Sequence, residues 1–208
     1  MLEHVTRFQR QAGLIEWSRE RLEGCGLSPG TASILHVAAL LEEDTAITVR
    51  HARSFGLTRS EDLAAFLPQW DLEEAEHAVA LRRLLEGRVY VAPRPGSASI
   101  SRRRRLLARI PAHPVALLPQ TAFVFCVLGV AAEYVATVMY SELAKQVQPA
   151  VAGLLRSIAR QEARHFAFFM AAARDRSERM GPVSGAVARR ALAAMWDPIG
   201  VPTLGPAI

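Results

Sequence analysis

Two stretches of this 208-residue chain place a carboxylate three residues before an imidazole: Glu74-Ala-Glu-His77 and Glu162-Ala-Arg-His165. On a helix, residues i and i+3 project from one face, so each pair can grip one cation. Carboxylate oxygens with imidazole nitrogens suit iron or manganese, whereas thiolates favour softer ions. Two such pairs, each joined by a glutamate from another helix, make a site for two metal ions.

The extra acids follow from helical faces. Glu133 is the only charge between Arg109 and Glu142, and buried alone it would carry a heavy desolvation cost. Its helical neighbours Cys126, Gly129, Ala136, Thr137 and Ala144 are mostly small, which leaves room on that side. At about 100° per residue, Glu42 falls with Leu35, Ala38, Ala46 and Val49, an apolar stripe. Glu43 falls with His36, Arg50 and Ser54 and reads as solvated. Asp44 lies near Val37, Leu41 and Thr48, so it is the fallback ligand or an outer partner. The same arithmetic puts Glu74 with Leu67, Trp70, Ala78, Leu81 and Leu85, and Glu162 with Val151, Leu155, Ile158, Phe166 and Phe169. Glu76, with Gln69 and Arg83, reads as surface. The expected ligands are Glu42, Glu74, His77, Glu133, Glu162 and His165.

Helices must carry all six, and a period of 3.6 dominates the chain. An amphipathic helix is expected over 5–23, ending at Gly24. Ser28-Pro29 opens a helix to about Phe55, as a cap followed by a first-turn proline. Thr58-x-x-Glu61 resembles a capping box for the next helix, which Pro68 kinks or splits and Gly87 stops. Residues 87–113, rich in Pro, Gly, Ser and Arg, read as a loop with a short basic helix near 99–109. Pro114 starts a helix to about Gln146, Pro149 another to about Met180, and a shorter one covers 183–196 before a tail. The fold class is all-α: a four-helix bundle with additional N- and C-terminal helices, in one domain whose core spans about 28–180. Val115 to Ala132 carries no charge and is long enough to span a membrane. Pro119, Gln120 and Glu133 favour a bundle helix buried on all sides, and no membrane span is expected.

Hydrophobic residues make up 50% and charged ones 22%, which excludes a disordered chain. Cys25 and Cys126 are too few for a disulfide scaffold or a thiolate zinc site. With no apolar signal region at MLEHVTRFQRQ, a cytoplasmic setting is expected. The net charge of +5 is uneven: Arg82 to Arg109 holds nine arginines and one acid. Arg102, Arg103, Arg104 and Arg105 form a cationic run that could dock an acidic carrier protein or the phosphates of coenzyme A. No recognition fold or aromatic platform accompanies it, so nucleic acid is not the expected partner.

These motifs resemble the ferritin-like di-iron superfamily and, within it, the soluble acyl-carrier-protein desaturases. Trp70-Asp-Leu-Glu73-Glu74-Ala-Glu-His77 is similar to their W-x-x-E-E-x-x-H, and Glu162-Ala-Arg164-His165 to their E-x-R-H. Glu42-Glu43 parallels their first-helix pair, with the first as ligand; Glu133-Tyr-Val-Ala136-Thr137 approximates E-x-A-T, and Gly87-Arg88-Val89 their Gly-Arg-Val. Gln161 stands where those enzymes carry an aspartate that hydrogen-bonds a ligand histidine. The likeness runs over about 30–175.

The resemblance implies two iron ions, or one manganese and one iron, with O2 as co-substrate and an external electron donor. It implies an oxidase or oxygenase acting on a hydrophobic or carrier-bound organic substrate. Asp44, Glu73, Trp70, Tyr134 and Tyr140 are the candidate outer partners of the ligands, and a homodimer is expected. The alternative is a ferroxidase, iron-handling or peroxide-reducing protein without an organic substrate. The Cys-x-x-Cys module usual in rubrerythrin-like proteins is absent from the sequence.

Overall fold

The computed structural model describes residues 2–10, 13–15, 17–18, 22, 24–88 and 120–195. Among these the regular elements are all helices: α1 (Leu2–Arg10), α2 (Pro29–Ser54), α3 (Glu61–Leu85), α4 (Gln120–Leu143), α5 (Pro149–Glu178) and α6 (Pro182–Met195), with a 3₁₀ turn at Leu57–Arg59.

Local chemistry sets most of the ends. Ser28 caps α2 in extended conformation, its Oγ accepting the Thr31 N–H at 3.1 Å, and Pro29 occupies the first turn. After α2, Gly56 at φ 70° reverses the chain into the 3₁₀ turn, a left-handed conformation that glycine adopts without a Cβ penalty. The expected capping box is corrected here. Thr58 lies inside the 3₁₀ turn and Ser60 is the N-cap residue, its hydroxyl donating instead to the Asp62 carboxylate. Pro68 does not split α3, which runs unbroken through it.

The expected 5–23 helix is also corrected. α1 ends at Arg10, and Gly13–Ile15 is not helical. The Gly13 N–H donates to Glu73 Oε1 at 3.1 Å and the Ile15 N–H to Glu76 Oε2 at 3.1 Å. Those amides are therefore satisfied by carboxylates of α3 rather than by a helix ladder. Glu76, expected at the surface, is accordingly half-buried.

α2 packs on α3 and α4 on α5; α3 meets α5, α6 leans on α4, and α1 lies across α3 and α5. Two apolar layers fill the bundle. One holds Leu35, Ala39, Leu81, Leu84, Leu155 and Ile158. The other holds Phe8, Val49, Phe66, Trp70, Phe168 and Phe169. α4 approaches α5 so closely that a Cβ on Gly129 would stand 2.7 Å from the Phe169 ring.

α4 departs from the helix expected to be buried on all sides. By length and composition it could cross a membrane, yet only 17% of its most apolar stretch is buried inside the described residues. Its buried stripe includes Cys126, Glu133 and Tyr140, one heptad apart, while Tyr134, Val135 and Val138 are exposed. Three of the nine arginines between 82 and 109 lie in the described residues. Arg82 pairs with Glu43, Arg83 with Glu86, and Arg88 donates to the carbonyls of Leu22, Cys25 and Leu84. The run Arg102 to Arg105 and the short basic helix lie outside them.

Candidate metal centre

A polar belt separates the two apolar layers. It comprises Glu42 and Thr45 from α2, Glu73, Glu74 and His77 from α3, Glu133 from α4, and Gln161, Glu162 and His165 from α5, all at most 7% exposed. Each helix brings its polar residues to the same level because apolar residues one to two turns away, such as Ala39 and Val49 on α2, lock its face and its height.

Six side chains converge in two overlapping groups. Glu42, Glu74, His77 and Glu162 form one; Glu74, Glu133, Glu162 and His165 form the other. Within each, the candidate donor atoms lie within 4.8 Å of one another, and Glu74 and Glu162 belong to both. His77 Nδ1 stands 3.0 Å from Glu162, 3.5 Å from Glu42 and 3.8 Å from Glu74. His165 Nδ1 stands 3.0 Å from Glu74 and 3.5 Å from both Glu133 and Glu162.

The inner atoms are incomplete. His77 Nδ1, His165 Nδ1, Glu74 Oε1 and Glu162 Oε1 are buried and make no hydrogen bond. Buried polar atoms are almost always paired, so four orphans within two overlapping donor groups call for a missing partner. Four carboxylates and two imidazoles can hold two divalent cations, and the donor set fits iron or manganese.

The outer atoms are complete. His77 Nε2 meets Gln161 Oε1 at 2.5 Å, and His165 Nε2 meets Glu73 Oε2 at 2.7 Å. Tyr140 donates its hydroxyl to Glu42, and Thr45 Oγ1 donates to Glu74 Oε2 at 3.3 Å. Glu73 accepts further from Gln69 at 3.0 Å and from Arg164. Such bonds orient ligand side chains and raise their basicity.

The electrostatics of the cluster follow from burying four carboxylates against two imidazoles. Burial first, and then Glu74 and Glu162, push the Glu42 carboxyl well above its ordinary range. Burial, Glu162 and Glu74 do the same to Glu133. For both histidines burial works downward but is outweighed by the surrounding carboxylates, which raise them well above the ordinary value. Burial would raise Glu73 too, but the His165 and Gln69 bonds and the Arg164 charge hold it down to about 2. It is the anion of the outer ring.

Two expected outer partners are corrected. Asp44 is exposed, one residue off the inward stripe that carries Glu42 and Thr45. Tyr134 is 58% exposed, with its ring 6.0 Å from Phe166, because the buried stripe of α4 is only one residue wide at Glu133. Trp70 is buried against Phe66, one ring removed from His165. Glu73 and Tyr140 do touch the cluster. Sequence reasoning missed Thr45, whose only signal was a hydroxyl on the stripe of Glu42. It also missed Gly13, whose backbone role has no side-chain signature.

An all-helical bundle whose four main helices enclose a carboxylate–histidine cluster has the ferritin-like arrangement. In keeping with that class, a family model described as Rubrerythrin matches residues 127–191, which takes in Glu133, Glu162 and His165 but less than half of the chain. The stretch is thus similar to rubrerythrin, and the comparisons lend no support to the desaturase resemblance of the motifs. Searches of curated proteins and of solved structures found no match.

Proposed function

We propose that this chain is a dimetal oxidoreductase that handles iron and reduces a small oxidant, hydrogen peroxide or dioxygen. The observation that carries the reading is the pair of donor groups sharing Glu74 and Glu162, with four inner atoms left without hydrogen bonds. Glu42 and His77 would hold one ion, Glu133 and His165 the other, and Glu74 and Glu162 both. Two ferrous ions held there would supply the two electrons that, with two protons from solvent, turn one peroxide into two waters, leaving both ions ferric.

The protein's own part is to hold and to shield. Gln161 and Glu73 fix the imidazoles from outside, Tyr140 fixes Glu42, and Thr45 fixes Glu74. Phe8, Phe66, Phe168 and Phe169 close the His165 side: Phe66 stacks on Phe168 at 3.8 Å, and Phe8 and Phe66 lie 6.0 and 6.2 Å from the imidazole. This packing and the rubrerythrin match support a small oxidant over an organic chain. The organic-substrate reading rests on the Trp70–His77 motif, and it needs an external electron donor and a hydrophobic or carrier-bound substrate.

The test is anaerobic loading with iron(II), a count of bound iron, then stopped-flow addition of peroxide or of dioxygen. The expected result is close to two irons per chain and rapid oxidation, with one peroxide consumed per iron pair. Failure to retain iron would remove the reading. Oxidation that proceeds only when an acyl carrier protein or fatty acid is added would transfer it to the organic-substrate alternative.

A further inference from the structure

The two histidines are held from behind by different chemistry, and one residue outside the bundle is common to both. Gln161 Oε1 faces His77 Nε2, while its Nε2 donates to the Gly13 carbonyl. A carbonyl can only accept, so it compels the amide nitrogen to point at Gly13 and the amide oxygen at His77. His77 must then carry a proton on Nε2, so that when the ring is neutral, as a metal ligand must be, the Nδ1 lone pair is the one directed inward.

On the other side Glu73 Oε2 faces His165 Nε2, and Glu73 Oε1 accepts the Gly13 N–H at 3.1 Å. A carboxylate accepts only, so His165 likewise carries a proton on Nε2, and its neutral form presents the Nδ1 lone pair inward. Gly13 thus donates to the group behind one histidine and accepts from the group behind the other. Its segment is pinned by Ile15 on Glu76 and by Phe8 of α1, which packs on Phe66 and Phe168 under the Arg164 guanidinium.

We infer that Gly13 is a positioning residue for both histidines, and that the anion behind His165 and the neutral amide behind His77 make the two metal positions unequal. A carboxylate behind an imidazole makes it a stronger donor than an amide does. The Glu133–His165 position is therefore the tighter one, and the N-terminal segment sets the difference. This rests on the two-metal reading above.

Cobalt(II) titration of the full chain tests it, followed by visible ligand-field absorption against a competing chelator. The wild-type chain should fill in two resolved steps. Gln161→Leu removes the support of His77 and should weaken the second step by about tenfold or more while sparing the first. Gly13→Pro removes the N–H toward Glu73, keeps the carbonyl that Gln161 uses, and should weaken the first step. Gly13→Ala keeps both backbone bonds, meets no atom within 4 Å, and should behave as wild type. If Gly13→Pro fails to fold by circular dichroism, Gln161→Leu decides alone. Two equal steps in the wild type, or Gln161→Leu leaving the second step unchanged, overturns the inference. A wild-type chain that binds no cobalt overturns the two-metal reading instead, and this inference with it.

Discussion

Among the described residues, two buried polar clusters differ in how they are balanced. Around Asp62, which is 5% exposed, the Arg176 guanidinium makes a two-pronged contact at 2.9 and 3.0 Å. The same guanidinium donates to Ser60 at 2.8 Å and to the Ala172 carbonyl at 3.1 Å. One anion meets one cation and the donors are used, as in a planar fork pairing. At the Glu42–His165 cluster four carboxylates face two imidazoles, and four inner atoms are orphaned. Burial is similar; completion is not. A self-neutralised pair joins helices α3 and α5, whereas a surplus of aligned acceptors is a socket for cations.

Removing the carboxylate common to both donor groups should break the comparison most sharply. At free iron(II) about a thousand times Kd, wild type should gain about 4 kcal/mol, about 10 °C in Tm for this size. The Glu162→Ala chain should gain little. Anaerobic calorimetry with and without iron checks this, and equal gains would dissolve the distinction.

Asp62→Asn should cost about 2 kcal/mol at pH 7, the worth of hydrogen bonds to a charged group, with or without iron. Burial raises the Asp62 carboxyl, but the Arg176 and Ser60 bonds outweigh it and hold it below its ordinary value. The stabilisation is therefore full above the unfolded pKa of about 3.9 and lost as pH falls through the lower folded value. Urea unfolding of both chains from pH 7 down to pH 3 should show the gap closing.

Tyr140→Phe should sharpen the contrast within the centre. Losing the hydroxyl that donates to Glu42 should weaken one metal step by about tenfold, or about 1.4 kcal/mol, and spare the other. Chelator competition reads the two steps separately. Asp44→Asn should do least: metal content unchanged, stability within about 0.5 kcal/mol by chemical denaturation.

The meeting of the six side chains was legible because spacing and helical faces carry it. Glu-x-x-His on a 3.6 period puts both groups on one face, and face arithmetic separates inward Glu42 from solvated Glu43, which the structure pairs with Arg82 at the surface. It failed where a neighbour decides. Nothing periodic marks the break after Arg10, since what ends the helix there is α3 offering Glu73 and Glu76 to the Gly13 and Ile15 amides. Tyr134 misled because adjacency to Glu133 in sequence is a 100° turn away in space. Gln161 was noticed as a departure from the aspartate pattern, but its hold on Gly13 needed the fold to bring residues 148 positions apart together.

Gly129 bears on how such a gene can drift. Every single-nucleotide missense change of a glycine codon introduces a Cβ, and here that carbon would meet the Phe169 ring at 2.7 Å, inside a side chain that is fully buried. Overpacking of that kind costs about 1–3 kcal/mol. The path away from glycine therefore opens only after position 169 has first shrunk, so the two codons should change in a fixed order: the aromatic first, the glycine second.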